Sequence, residues 1–258
     1  MTRLIDTHVH LTDPKMVEDQ ADVLVRAREA GVGTMVSIGA TVEEAERSIA
    51  LAHAEPGVFA TAGLHPHEAR VWSADIEARV RAFAEDPKVV AIGETGLDYH
   101  YDFSPRDAQM IAFRAQVALA KECDLPVVIH CREAVDDVLD VLESEGGGNL
   151  RGVFHCFSEN LDAARRVFEL GFFIGLGGVV TFKNSEPLRD VIREVGLDRA
   201  VLETDAPHLA PVPRRGKRNE PSFVPHVAAS LAGTLQISVE EVAAITTRNA
   251  RALYRLPG

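Results

Sequence analysis

The sequence predicts one (β/α)8 barrel, an α/β fold that we expect to span residues 1–258 as a single domain. Short runs rich in β-branched residues alternate with amphipathic stretches of helical length. Runs such as 127–129 and 152–154 are apolar throughout, as expected of parallel strands covered by helices. The predicted strands are 3–9, 33–38, 58–64, 89–94, 126–130, 152–156, 172–176 and 200–205.

Helices are predicted between the strands and after the last one. Thr41 with Glu44, and Ser238 with Glu241, have the spacing of a capping box. An open doubly wound sheet is the alternative fold, but it would place a glycine-rich fingerprint after the first strand, where His8 and His10 stand instead. The predicted helices are 16–30, 41–55, 73–85, 105–123, 133–145, 160–170, 187–195, 221–234 and 238–252.

The composition is that of an acidic chain with few cysteines. It has 27 Lys and Arg against 39 Asp and Glu, a formal net charge of −12. This charge argues against non-specific binding to nucleic acid, although carboxylates around bound cations would not present it in full. Three cysteines without a Cys-x-x-Cys pair favour a reducing compartment. With no basic-then-apolar leader and no long apolar run, we expect a cytoplasmic protein without a membrane or obligate protein partner.

The end of the first predicted strand carries two histidines. His8 and His10 are two residues apart in a strand, so their side chains point to the same side and can reach one cation. The carboxyl ends of the strands are the catalytic face of a barrel. The plain alternative is a pair of exposed loop histidines.

Four more strands end on a side chain that can bind a metal. Each of these residues alone could be a helix cap or a turn residue. Five strands that all end on a possible metal ligand are much less readily explained by chance. Four imidazoles and two carboxylates suffice for two cations if one carboxylate bridges, with Zn, Mn, Co, Fe or Mg as candidates. Two such cations would supply a hydroxide and stabilise both oxygens of a displacement. The four are Glu94, His130, His155 and Asp205.

Six motifs, in this order, make the chain resemble the TatD family of metal-dependent deoxyribonucleases, over nearly its whole length. A glutamate on strand four, where many relatives in the wider amidohydrolase superfamily have a carboxylated lysine, also favours TatD over phosphotriesterase-like enzymes. The motifs are 6–11 (Asp-Thr-His-Val-His-Leu), 63–67 (Gly-Leu-His-Pro-His), 92–99 (Ile-Gly-Glu-Thr-Gly-Leu-Asp-Tyr), 126–134 (Pro-Val-Val-Ile-His-Cys-Arg-Glu-Ala), 155–158 (His-Cys-Phe-Ser) and 203–207 (Glu-Thr-Asp-Ala-Pro).

The resemblance implies a division of the ligands and a reaction. His8, His10 and Asp205 would hold one divalent metal, His130 and His155 the other, and Glu94 would bridge the two. The implied activity is hydrolysis of phosphodiester bonds in DNA, taken here as single-stranded, commonly from the 3′ end. The chain departs from the family pattern at two positions expected near the mouth, Glu159 in place of a glycine and His208 in place of an aromatic residue.

Several further residues are predicted to act on the substrate, each with a plain alternative. His65 could hold the scissile phosphate or protonate the leaving oxygen, or it could belong to a turn set by Pro66. Arg132 could bind a phosphate, or pair with Glu133. Asp205 could also act as the base that orients water. The basic run 214–219 is a candidate phosphate contact, or a solvated loop; its side chains of interest are Arg215, Lys217 and Arg218.

Two other functions compete with a nuclease. The same hydroxide could attack a carbonyl ester or amide, as in a D-aminoacyl-tRNA deacylase. Aromatic side chains near the site would favour the nuclease, because bases stack on them; Tyr99, Tyr101 and Phe157 are available. A non-catalytic binding barrel would be indicated by a missing ligand, and none is missing.

Overall fold

The computed structural model describes residues 3–146 and 150–257, and these form the predicted barrel. All eight predicted strands are present, parallel and hydrogen-bonded in chain order from β1 to β8. This order has no reversal, so the described residues do not form a doubly wound sheet. The strands are β1 (Leu4–Val9), β2 (Val32–Ser37), β3 (Val58–Ala62), β4 (Val89–Asp98), β5 (Val127–Arg132), β6 (Gly152–Phe154), β7 (Phe173–Leu176) and β8 (Ala200–Leu202).

The helices cover the outside of the sheet, and none of those described has the length and hydropathy needed to cross a membrane. The cap half of each predicted capping box is present: Thr41 Oγ1 accepts a hydrogen bond from the Glu44 amide, and Ser238 Oγ from the Glu241 amide. The Glu44 carboxylate accepts from the Ala40 amide rather than from the amide of the cap residue. The helices are α1 (Pro14–Val17), α2 (Gln20–Glu29), α3 (Val42–Ala54), α4 (Ala74–Ala84), α5 (Arg106–Glu122), α6 (Val135–Gly146), α7 (Leu161–Glu169), α8 (Glu186–Val195), α9 (Val224–Leu235) and α10 (Val239–Tyr254).

The single helix predicted over 16–30 is wrong, because the chain breaks between α1 and α2. Asp19 has φ −131° and ψ 30°, outside the helical region. Its carboxylate accepts hydrogen bonds from Arg26 at 2.9 Å and Arg218 at 2.6 Å instead of serving the helix. A short acidic side chain that binds elsewhere lowers the helical preference of its own backbone.

Strand β4 does not end at Glu94 as predicted but continues to Asp98. Its pairing with β5 passes from Ile92 opposite Val127 to Thr95 opposite Ile129, so β4 has one extra residue in this interval. Such a bulge redirects a side chain and is frequent beside functional sites. Here it lies at Glu94.

The barrel closes where β1 meets the segment after β8. The Asp205 amide donates to the His8 carbonyl at 2.9 Å, and the His10 amide to the Ala206 carbonyl at 2.8 Å. The buried Asp6 carboxylate reinforces this seam by accepting from the amide and hydroxyl of Thr204. The backbone hydrogen bonds that close the barrel therefore also bring His8 and His10, on one side of the seam, next to Asp205 on the other.

The opposite end of the barrel is closed by α10. Its buried side chains Leu253 and Tyr254 pack with apolar residues from six strands. Asn249 anchors the helix by donating to the Leu197 and Ala200 carbonyls at the start of β8. The carboxyl ends of the strands, where the predicted ligands lie, are at the other end of the barrel. The six strand residues are Ile5, Val36, Val90, Val128, Val153 and Val201.

Candidate metal centre

Glu94 lies at the centre of the cluster, with its two oxygens facing different histidines. Oε2 lies 3.3 Å from His8 Nε2 and 3.8 Å from His10 Nε2. On the other side, Oε1 lies 2.8 Å from His155 Nε2 and 3.1 Å from His130 Nδ1. A carboxylate placed in this way can bridge two cations.

Asp205 completes the first set of groups. Its Oδ1 lies 3.4 Å from His10 Nε2 and 3.7 Å from His8 Nε2. Its backbone has φ 56°, a left-handed conformation that aspartate tolerates better than most residues. The structure thus brings all six predicted ligands together, on five strands or the segments directly after them.

The two carboxylates of this cluster carry the negative charge that suits bound cations. Burial alone would raise the pKa of Glu94, but the surrounding imidazoles, His155 foremost, hold it well below its usual value. Burial likewise opposes ionisation of Asp205, yet a hydrogen bond from His10 and nearby imidazoles lower its pKa to about 2. Both carboxylates are therefore ionised at neutral pH.

The buried imidazole of His8 tests whether these groups fit a metal. Neither of its ring nitrogens forms a hydrogen bond within the described residues, although Nε2 lies close to two carboxylates. A buried polar atom without a partner is costly. An unpartnered imidazole nitrogen that faces two carboxylates suits a ligand of a cation that it shares with them. Three groups have such atoms within 4.8 Å of one another: His8, His155 and Asp205; His8, His10 and Glu94; and His65, Glu94 and His130.

Asp98 is a buried residue of this site that sequence reasoning missed. Its Oδ2 accepts hydrogen bonds from His130 Nε2 at 3.0 Å and from His67 Nε2 at 2.9 Å. The bond to Nε2 leaves His130 Nδ1 free to face Glu94, and carboxylates orient metal-binding histidines in this way. The predicted strand ends at Glu94, so the even spacing of Asp98 from Glu94 points to the site only because β4 continues to Asp98.

Glu203 is the second missed residue, and it stands behind His155. Its Oε1 accepts the Cys156 amide at 2.6 Å and lies 3.8 Å from His155 Nδ1. The carboxylate occupies space that a side chain at Gly175 would fill, since a Cβ there would lie 2.1 Å from Oε2. Glu203 thus places a carboxylate beside the ring edge of His155 that faces away from Glu94, without a hydrogen bond to that ring among the described residues.

Glu203→Gln should weaken metal binding by ~10-fold, because the amide removes the negative charge behind His155. Titration of the metal against a competing chelator measures this change. Glu169→Gln, at the exposed end of α7, is the matched control and should leave affinity unchanged. An unchanged affinity in Glu203→Gln, with lower stability only, would mean that Glu203 serves just the turn at Cys156.

His65 lies within the cluster, 3.5 Å from Glu94 Oε1 through its Nε2. Its Nδ1 accepts a hydrogen bond from the His67 amide at 3.1 Å, so the proton of the neutral ring is on Nε2. Burial lowers the pKa of His65 to about 4. The ring is therefore neutral at pH 7 and offers an N–H donor rather than a readily available proton.

Two adjoining clefts open on the cluster. One, of about 400 Å³, is lined by Arg132, Glu159 and Asp205, among others. The other, of about 310 Å³, is lined by His10, Glu94 and His208, among others. Glu159 and His208, the two departures from the family pattern, thus both lie at the mouth, as predicted.

The predicted phosphate-binding cations differ in their surroundings. Arg132 lies over the ring of Tyr101 at 4.9 Å, whereas Glu133 accepts a hydrogen bond from His100. Arg218 is bound to Asp19.

Arg215 and Lys217 are both exposed. The Arg215 guanidinium lies 3.9 Å above the ring of Phe182 and donates to the Ala210 carbonyl. A phosphate contact by these two residues stays a prediction. The same holds for Arg218, whose guanidinium pairs with Asp19, the residue before α2.

Comparison with known proteins shows close similarity along the whole chain. A family model described as TatD related DNase matches residues 5–255. The uncharacterized metal-dependent hydrolase YabD of Bacillus subtilis is 41% identical over 98% of this chain and 99% of its own. The 3′-5′ ssDNA/RNA exonuclease TatD of Pantoea vagans is 40% identical, over 98% and 100%. The crystal structure of YJJV, a TatD homolog from Escherichia coli, has a TM-score of 0.94 at 33% identity and covers 99% of both chains.

Proposed function

Because the chain belongs to the TatD family and is a metal-dependent hydrolase, we propose that it hydrolyses phosphodiester bonds of single-stranded DNA from the 3′ end. The observation that carries the proposal is Glu94, whose two oxygens face two separate sets of imidazoles. Relatives named as 3′-5′ ssDNA/RNA exonucleases support the choice of substrate.

In this proposal six side chains hold two divalent cations, Zn, Mn or Mg. His8, His10 and Asp205 would bind one cation, His130 and His155 the other, with Glu94 shared. When bound, the cations would lower the pKa of water and neutralise charge on the phosphate. Mixed imidazole and carboxylate donors suit these metals.

The remaining residues act on the substrate and the water. Asp205, ionised at neutral pH, accepts a hydrogen bond from the attacking water and so orients it. The Nε2–H of His65 donates to an oxygen of the scissile phosphate, which the neutral state of this ring permits. Arg132, at the rim of the larger cleft, pairs with a phosphate of the strand.

Incubation with 3′-labelled single-stranded DNA tests the proposal. We expect loss of the label with added Mg, Mn or Zn, and none with excess chelator. Asp205→Ala should reduce the rate ~100-fold, because removal of a ligand and water-orienting group acts on the transition state. Asp162→Ala, at a side chain that is 91% exposed, is the matched control.

The outcomes separate the parts of the proposal. Metal-dependent loss of label that survives in Asp205→Ala would contradict the ligand assignment. No loss with any of the three metals, together with release of the amino acid from an aminoacylated tRNA, would replace the nuclease by a carbonyl ester hydrolase. Faster loss of a 5′ label would contradict the direction of attack.

A further inference from the structure

The loop between β4 and α5 presents two large aromatic side chains to solvent. Tyr101 is 47% exposed and Phe103 is 58% exposed, although apolar rings of this size are usually covered. Their rings are stacked, with centroids 5.3 Å apart and planes 24° apart. Among the described residues, these are the two aromatic members of the set of exposed large apolar side chains.

Hydrogen bonds to three buried side chains hold the loop in place. Asp98 Oδ1 accepts from the His100 amide at 3.1 Å and the Tyr101 amide at 2.9 Å. Gln109 Nε2 donates to the Ser104 carbonyl at 2.9 Å, and Ser104 Oγ donates to the His67 carbonyl at 2.7 Å. Asp98, Ser104 and Gln109 are all fully buried. The aromatic pair is therefore presented by an ordered loop, which lowers the entropic cost of binding.

The same anchor connects the loop to the candidate metal centre. Asp98, which begins the loop, also binds His130 through its other oxygen. Tyr101 lines the smaller cleft together with His10 and Glu94. Arg132, over the Tyr101 ring, lines the larger cleft. A cation that can bind phosphate thus contacts the aromatic pair and lines a cleft beside the centre.

The size of the pair indicates what it can bind. A stable protein interface buries about 800 Å² on each partner, whereas one aromatic side chain offers about 150–250 Å². Two stacked rings bordered by His67, His100 and Arg132 are too small and too polar at their edges for a protein partner. A flat ligand of one or two rings attached to an anion fits both the area and the charge.

We propose that Tyr101 and Phe103 form a stacking platform for an unpaired nucleobase of the strand that is cut. This proposal rests on the proposed function and adds a basis for substrate choice. Every base offers a π face, so the platform is tolerant of sequence. A base inside a duplex is already covered by its neighbours, and so the platform selects single strands.

The test compares the double variant Tyr101→Ala/Phe103→Ala with the wild-type protein on two kinds of strand. One kind carries all its bases, and the other has a single abasic residue moved stepwise from the 3′ end. We expect the double variant to raise KM for the complete strand ~10-fold with kcat nearly unchanged. An abasic residue at one position should raise KM for the wild type by a similar factor and add nothing in the double variant.

Binding of the labelled strands in excess chelator, followed by fluorescence anisotropy, gives a second readout. Ile111→Ala is the control, because this apolar side chain is 63% exposed and lies on α5 rather than in the loop. An equal loss of affinity in Ile111→Ala would overturn the platform. So would an abasic residue that raises KM in the double variant as much as in the wild type, or a double variant in which kcat falls and KM does not change.

The two proposals fail in distinguishable ways. Cleavage without dependence on any single base would leave the nuclease and overturn the platform. If binding depends on a base and the double variant loses that dependence, but no metal supports cleavage, the platform stands and the nuclease is overturned. Neither binding nor cleavage would overturn both.

Discussion

Glu94→Gln is expected to lower kcat/KM for single-stranded DNA by ~1000-fold or more. The amide has nearly the same volume as the carboxylate, so packing at this buried position is preserved. It removes the negative charge, however, and places an NH2 group where one oxygen now faces imidazole nitrogens. The carboxylate of Glu94 has one oxygen toward each set of histidines, so the substitution acts on both sets at once.

Metal content gives this prediction a readout apart from activity. After dialysis the wild-type protein should retain about two equivalents of metal, and Glu94→Gln no more than one. Glu133→Gln is the matched control, because Glu133 lies at the rim and binds His100 rather than the cluster. If Glu94→Gln retained both equivalents and most activity, Glu94 would not bridge.

The fold and the six central residues could be predicted because both depend on local pattern. Alternation of apolar strands and amphipathic helices determines a barrel, and the carboxyl ends of its strands face one side. His130 and His155 were therefore expected to meet although 24 residues separate them. The distances around Glu94 are consistent with that expectation.

The residues behind the ligands could not be predicted in the same way. The bulge at Glu94 extends β4 and brings Asp98 to His130, and no propensity of the sequence signals that extra residue. The ion pair of Arg218 with Asp19 joins residues 199 positions apart, and it likewise depends on the fold rather than on local pattern. Phe157 looked available for stacking, but it is buried in the core.

Tyr99 illustrates a further limit of sequence reasoning. Its hydroxyl donates to Asp137 at 2.6 Å, and the Arg106 guanidinium lies 4.2 Å from its ring centroid. Its neighbour Tyr101 is exposed instead. Whether an aromatic side chain of a loop reaches solvent depends on its tertiary contacts. The spacing of the residues along the chain does not predict those contacts.

Gly96→Ala should lower the free energy of unfolding by ~3 kcal/mol, the largest stability effect we predict. Gly96 has φ +141°, a conformation that residues with a side chain rarely adopt. It pairs with His130 across β4 and β5, and a Cβ would lie only 1.9 Å from the His130 carbonyl oxygen. That oxygen belongs to the main chain, so relief requires the two strands to separate at a predicted ligand.

Urea denaturation of the metal-free proteins measures this effect, with Gly233→Ala as the matched control. Gly233 is exposed within α9, and a Cβ there meets no atom within 4 Å. Alanine at this helical position should therefore raise the free energy of unfolding by ~0.5–1 kcal/mol. The same substitution is thus expected to lower the free energy of unfolding at Gly96 and to raise it at Gly233. A Gly96→Ala protein as stable as the wild type would mean that β4 and β5 can separate at His130 without cost, and the position of His130 beside Glu94 would then not depend on their pairing.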